Sequence, residues 1–145
     1  VADQLELSPK GADGYKADSL MALIQDVMGA AGALKPETPE ADKDAYFGGR
    51  FKSFLEVFDS SINENGVFFG DGKKFTSAEL TFAYFLKNVS NILGEAKYTA
   101  FVSKPFPKLD GVYTKVFANE NVKKYFDTTE KAFYYKFAYA PPSSA

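Results

Sequence analysis

The residue types that most often perform acid–base or thiol chemistry are missing from this chain. Its 145 residues include no histidine and no cysteine. A Ser-His-Asp triad, a thiolate nucleophile, a zinc–thiolate centre and a disulfide are therefore excluded. Any chemistry must come from carboxylates, tyrosine, serine or lysine, or from groups that a partner supplies.

Two short motifs resemble known functional signatures, but neither predicts a site in this chain. The run Gly-Asp-Gly-Lys-Lys at 70–74 lacks the glycine spacing and the preceding strand of a phosphate-binding loop. The triplet Asn88-Val89-Ser90 matches a glycosylation sequon, but it falls inside a predicted buried helix. The acidic residues show no metal-ligand spacing, so we expect no metal site.

Two other groups of side chains are candidates for ligand or partner binding. Met21, Gln25 and Met28 recur at steps of four and three residues, so they share one face of a helix. Near the C-terminus, five rings lie within seven residues, a tyrosine–phenylalanine mixture typical of interfaces; they are Phe133, Tyr134, Tyr135, Phe137 and Tyr139. The sequence leaves open whether this tail contacts a partner, closes over a pocket or folds back on its own core.

Composition predicts one compact domain that carries no signature of nucleic-acid binding. Hydrophobic residues make up 46% and charged residues 25%, and the net charge is −2. No stretch approaches the roughly 20 apolar residues that span a bilayer. Because the chain begins at Val1 rather than Met, we expect a processed product or a piece of a longer sequence. The compartment is therefore unknown: the cytoplasm is favoured, or an organelle if a transit peptide was removed.

Apolar periodicity predicts a series of helices that must position these residues. The first covers 15–34, and a second covers about 41–65 with a kink at Gly48-Gly49. An aromatic loop follows at 67–75 and is favoured over a short hairpin. After a long central helix we expect a shorter helix at about 95–103, one beginning at Pro107, and a further helical turn near 122–126.

The clearest local signal marks the start of the central helix. Thr76 can cap the first helical amides, and Glu79 can reach back to the amide of Thr76, which makes a capping box. Phe75 and Leu80 occupy the two positions of a hydrophobic staple. The helix then runs to about Leu93 and is apolar enough to be the most buried of the set.

The order and spacing of these elements resemble the all-helical C-terminal domain of the glutathione transferase superfamily. Residues 68–71 and 75–80 are similar to the glycine-aspartate and threonine-x-x-aspartate start of the family's buried helix, with Glu79 in place of the usual aspartate. Phe106-Pro107-Lys108-Leu109, followed by the apolar positions up to Tyr125, is similar to the family's last helices. Residues 16–20 and 25–27 resemble the domain's first helix, especially in sigma-like classes.

The resemblance implies an all-α fold, a bundle of five to six helices around a central buried helix at about 77–93. It assigns residues 1–14 to the end of a preceding helix and a linker, and residues 15–126 to the helical domain. Residues 127–145 form an aromatic and then Pro/Ser-rich tail. The thioredoxin-like half is missing from this chain, and in the family that half carries the glutathione pocket and the activating residue.

The resemblance also suggests roles for individual residues. Asp18 takes the place of a carboxylate that reaches the glutathione of the neighbouring subunit, although a solvated aspartate in the first helical turn is an equally simple interpretation. Met21, Gln25 and Met28 take the place of a wall for a hydrophobic co-substrate, although packing against the second helix explains them too. No residue of this chain is expected to be catalytic.

Three functions therefore stand as hypotheses: the two described next, and a carrier for a small apolar ligand bound between the helices. In the first, the chain provides the hydrophobic co-substrate wall and the dimer surface of a glutathione transferase that conjugates small electrophiles, with glutathione as co-substrate of the whole protein. In the second, it is a non-catalytic interaction module, a scaffold or subunit in a larger protein complex. Whether the whole protein is an enzyme is left uncertain, and the chain alone is expected to be inactive.

Overall fold

The computed structural model describes residues 8–35 and 37–129, and within them the chain is all-α. It contains six α-helices, one π-helical turn and no strand in these residues. The helices are α1 (Ala12–Gly32), α2 (Glu40–Gly48), α3 (Arg50–Ser60), α4 (Ser77–Tyr98), α5 (Pro107–Phe117) and α6 (Glu120–Thr129), and the π-helical turn covers Thr99–Ser103. The predicted fold class is confirmed. No helix of the described part is long and apolar enough to cross a membrane.

Helix α2 is tied to the C-terminal parts of α1 and α4. The hydroxyl of Tyr46 donates to the carbonyl of Val27 at 3.4 Å. The ammonium group of Lys97 lies 2.6 Å from Asp44 and 2.6 Å from Glu40. These hydrogen bonds, to Asp44 first and then to Glu40, raise the pKa of Lys97, so the ammonium group stays charged.

The end of α3 meets the start of α1. The ammonium group of Lys16 donates to the carbonyl of Ser61 at 3.1 Å and lies 5.2 Å from the ring centre of Phe69. The α2–α3 segment therefore runs antiparallel to α1. Since the C-terminal parts of α1 and α4 both contact α2, α1 and α4 run side by side in the same direction.

Helix α4 lies at the centre of the bundle and is surrounded by phenylalanine rings. Phe58 of α3 packs 5.0 Å from Phe82, and Phe68 of the following loop also lies 5.0 Å from Phe82. Phe85 is 5.8 Å from Phe82, and all four rings are buried. Such pairs contribute beyond the buried area alone. The central buried helix that the sequence predicted at 77–93 is therefore present.

The capping box at the start of α4 is also present, and it does more than cap. The Thr76 amide donates to Glu79 Oε2 at 2.7 Å, and the Thr76 hydroxyl accepts from Ala78 and donates to the same carboxyl group. Glu79 Oε1 accepts from the amides of Phe68 and Phe69 at 3.0 and 2.9 Å. This fully buried carboxylate thus links the helix start to the preceding loop.

The two staple positions beside the box contribute to the core. Phe75 and Leu80 are both half-buried and pack against the main core. The loop before them, which covers 61–76, contains turns and bends and no strand. The loop interpretation is therefore correct and the hairpin is not formed.

The second predicted helix is shorter than expected and is broken in two. It was predicted to reach Asn65, but α3 ends at Ser60, and the break between α2 and α3 falls at Gly49. The reason for the early end is Asn63, whose side-chain oxygen accepts from the amides of Asn65 and Val67. A side chain that satisfies nearby amides in this way competes with the helix.

A backbone break at Gly94 divides the long α4. Gly94 has φ +73° and ψ +166°, far from helical values, although residues on both sides are helical. The predicted end near Leu93 and the shorter helix after it are thus both seen. A residue with a Cβ is strongly disfavoured in this region of the φ/ψ map.

Replacing Gly94 with alanine should destabilise the protein by roughly 1–3 kcal/mol because of backbone strain. The matched control is Gly111→Ala in α5, where an added Cβ meets no atom within 4 Å and the backbone is helical. That variant should gain up to about 1 kcal/mol. Urea unfolding of both variants measures the difference, and equal stabilities would show that the break at Gly94 carries no strain.

Candidate functional site

A surface pocket lies between the start of α1 and the start of α4, which run side by side. Its volume is about 340 Å³, which falls in the range of small-molecule sites. The residues that line it come from the segment before α1, from the first turns of α1 and from the first residue of α4; they are Ser8, Pro9, Gly14, Ala17, Asp18, Met21 and Ser77.

Two of the residues that the sequence singled out line this pocket. Asp18 is exposed on the second turn of α1, and Met21 is half-buried one turn later. Residues three apart on a helix are neighbours, so the carboxylate and the thioether lie side by side. The pocket wall therefore combines an anionic group with a flexible apolar one.

The other two members of the predicted wall do not line the pocket. Gln25 is exposed on α1, and Met28 is half-buried and packs against the main core. Both residues lie beyond Met21 along α1. The packing interpretation that the sequence left open thus describes Met28, while Asp18 and Met21 remain available to a ligand.

Ser77, which lines the pocket from the opposite helix, was not predicted from the sequence. Ser77 follows the capping threonine directly, and its side chain makes no hydrogen bond within the described residues. No local signal marks it, because its position opposite α1 arises only when the two helices pack. The same holds for Ala17, which is a buried core residue of α1 as well as part of the pocket wall.

A second polar cluster, at the π-helical turn, has a structural role. The hydroxyls of Tyr98 and Ser103 both donate to Asp110 Oδ1 at 3.2 Å. Burial, followed by the charge of Asp110 and the hydrogen bond to it, raises the pKa of Tyr98. Tyr98 therefore remains a protonated donor at neutral pH and does not provide a base.

The part of the chain that the structure describes contains no metal-binding cluster. No group of three or more acidic side chains in residues 8–35 and 37–129 could hold a metal ion. The five rings of the aromatic tail, Phe133, Tyr134, Tyr135, Phe137 and Tyr139, lie outside the described residues. The pocket beside α1 is therefore the site on which a functional argument can be built.

Comparison with protein families agrees with this architecture. The family model for the C-terminal domain of glutathione S-transferase matches residues 25–129. This chain belongs to that family. The match runs from the middle of α1 to the end of α6, so it includes Ser77, while the pocket residues before Gln25 precede it. No curated protein and no solved structure matches the chain.

The match to the glutathione S-transferase C-terminal family covers the residues that stabilise the fold but only part of the pocket. The capped, ring-lined α4 lies wholly within the matched region. Asp18 and Met21 lie outside it, so their roles rest on the geometry of the pocket.

Proposed function

We propose that this chain is the helical domain of a glutathione transferase-like protein and provides part of the wall that receives a small hydrophobic electrophile. The observation that carries the proposal is the pocket between α1 and α4, which combines Met21 with Asp18 and Ser77. The half-buried thioether of Met21 can adapt to apolar groups of varied shape.

The polar residues of the pocket suit the other substrate. Glutathione carries an ammonium group, and the exposed carboxylate of Asp18 can form a charge-assisted hydrogen bond with such a group. In the proposed whole protein, Asp18 serves the glutathione of a neighbouring subunit, so the helical domain also provides part of a dimer surface. Ser77 adds a hydroxyl that can donate or accept.

In this proposal the group that activates the thiol lies outside the pocket. The lining residues include no tyrosine, the chain contains neither histidine nor cysteine, and the two serines of the lining, Ser8 and Ser77, are assigned to binding. A thioredoxin-like domain or a partner would supply the group that stabilises the thiolate. The chain binds and orients, and the whole protein would perform the conjugation.

One observation favours the alternative, a non-catalytic interaction module. Tyr15 on α1 is 80% exposed, and tyrosine is enriched at protein interfaces. Two other large hydrophobic side chains are exposed, Val57 at 49% and Tyr84 at 41%. They lie on α3 and α4.

The test joins this chain to a thioredoxin-like domain that carries a thiol-activating tyrosine or serine. Calorimetry with S-hexylglutathione measures binding, and absorbance follows the conjugation of glutathione to a chromogenic aryl halide. We expect binding to be weak or absent with the chain alone and restored by the fusion. Met21→Asp should weaken binding of the hexyl group at least roughly tenfold, since it replaces an apolar contact with a charge.

The matched control is Gln25→Asp, which places the same charge on the same helix outside the pocket. It should leave the affinity of the fusion unchanged. Equal affinities for the two variants would contradict the proposed wall. A fusion that folds and binds glutathione but conjugates nothing would favour the interaction module instead.

A further inference from the structure

The turn after α3 contains a dipeptide that can react spontaneously with itself. Asn65–Gly66 is the one Asn-Gly step in the sequence. Asn65 is exposed, and Gly66 has φ +71°. Because glycine has no side chain, its backbone nitrogen can approach the carboxamide of the preceding asparagine more easily than that of any other residue.

The reaction at such a step is an intramolecular cyclisation followed by hydrolysis. The Gly66 nitrogen loses its proton to water or hydroxide and attacks Cγ of Asn65. A nitrogen–carbon bond forms, the bond from Cγ to Nδ2 breaks, and ammonia leaves with a proton from solvent. Water then opens the succinimide, giving aspartate or isoaspartate at position 65, and no oxidant or reductant is needed.

In the structure, three hydrogen bonds hold the turn closed and oppose this reaction. The Gly66 amide donates to the carbonyl of Asn63 at 3.0 Å, so the nucleophilic nitrogen is engaged. The Asn65 carboxamide donates to the carbonyl of Gly70 at 3.2 Å, so the group under attack is engaged too. The ammonium group of Lys115 donates to the Asn65 carbonyl at 2.9 Å and ties the turn to α5.

We propose that Asn65 is a latent self-modification site that the closed turn protects and that reacts only when the turn separates from α5. Lys115 is the contact that couples the Asn65 carbonyl to α5. The contact is tight, because a Cβ on Gly66 would lie 2.9 Å from Lys115 Nζ. The hydrogen bonds from Asn65 to the Gly70 carbonyl and from Lys115 to the Asn65 carbonyl are exposed, so local opening can break them without global unfolding.

Modification would prevent the turn from closing as before. The product carboxylate has no N–H group to donate to the Gly70 carbonyl, so one of the three contacts is permanently lost. An isoaspartate would also add one carbon to the main chain directly before Gly66, within the turn that the Asn63 amide closes by donating to the Val67 carbonyl at 2.8 Å. The extent of modification therefore records how long the turn has been open.

The experiment compares deamidation of the whole chain in native buffer and in denaturant at mildly alkaline pH. Mass spectrometry of digests follows the conversion of carboxamide to carboxylate at Asn65. We expect the native rate to be roughly tenfold or more below the denatured rate, given the usual net strength of such hydrogen bonds. Lys115→Met should raise the native rate roughly three- to tenfold and leave the denatured rate unchanged, because the residues around Asn65 stay the same.

Lys108→Met is the matched control, since Lys108 is exposed and lies seven residues earlier on nearly the same face of α5. It should not change either rate. Asn121 of α6 serves as an internal reference whose rate should not differ among the variants. The proposal is overturned if native and denatured rates agree, if the two lysine variants behave alike in native buffer, or if Lys115→Met slows the reaction.

Discussion

Replacing Glu79 with alanine should destabilise the protein by about 3 kcal/mol or more, because three backbone amides lose their acceptor at once. The amides of Phe68, Phe69 and Thr76 all donate to this carboxylate. An unsatisfied buried donor costs about 1–3 kcal/mol. For a chain of this size, the loss corresponds to a decrease in melting temperature on the order of 10 °C.

Other variants separate the cap from the loop contacts. Thr76→Ala removes the capping hydroxyl and should cost roughly 1 kcal/mol. Glu79→Gln keeps one acceptor oxygen but directs an NH₂ group at amides that also donate, so it should fall between Thr76→Ala and Glu79→Ala. The control is Glu95→Ala, an exposed glutamate on the same helix, which should stay within about 0.5 kcal/mol of the parent.

Thermal and urea unfolding, each followed by circular dichroism, measure this series. Its order is the decisive result: Glu79→Ala should be the least stable, then Glu79→Gln, then Thr76→Ala. If Glu79→Ala and Glu95→Ala have the same melting temperature and the same urea midpoint, the buried carboxylate does not hold the loop. The explanation of how α4 begins would then be wrong.

Replacing Phe58 with alanine should destabilise the core by about 3–5 kcal/mol. The ring has no exposed surface and packs against three others, Phe82 at 5.0 Å and Phe68 and Phe85 at 6.3 Å each. Alanine favours helix, so the loss would come from the cavity and the lost ring contacts.

The adjacent residue provides a control on the same helix turn. Val57 is 49% exposed, so Val57→Ala should change the free energy of unfolding by no more than about 0.5 kcal/mol. Phe58→Leu, which keeps most of the volume, should lie between the two. Midpoints of urea unfolding measure all three, and similar midpoints for Phe58→Ala and Val57→Ala would contradict the central position of this ring.

Local signals in the sequence were enough to predict the start and the end of the central helix. Thr76 and Glu79 form the capping box because both groups needed for it lie within four residues of chain. Gly94 breaks the helix because its backbone conformation is one that glycine alone adopts readily. Features of this kind depend on short segments, so periodicity and capping rules detect them.

Contacts between distant segments could not be predicted in this way. The hydrogen bonds from the Phe68 and Phe69 amides to Glu79 form only when the loop folds back against the start of α4. The early end of α3 depends on the rotamer of Asn63, which the apolar pattern does not include. Ser77 joins Asp18 and Met21 only through the packing of α1 on α4.

The two ends of α4 are secured by forces of different kinds. Buried hydrogen bonds to backbone amides hold its first turn through Glu79, whereas partly exposed charges hold its last turn through Lys97, Glu40 and Asp44. Mobile ions in solution shield the second kind, over a distance of about 10 Å at 0.1 M and 3 Å at 1 M, and leave the first nearly untouched. Concentrated electrolyte should therefore weaken the contact of the last turn of α4 with α2 and leave the first turn of α4 in place.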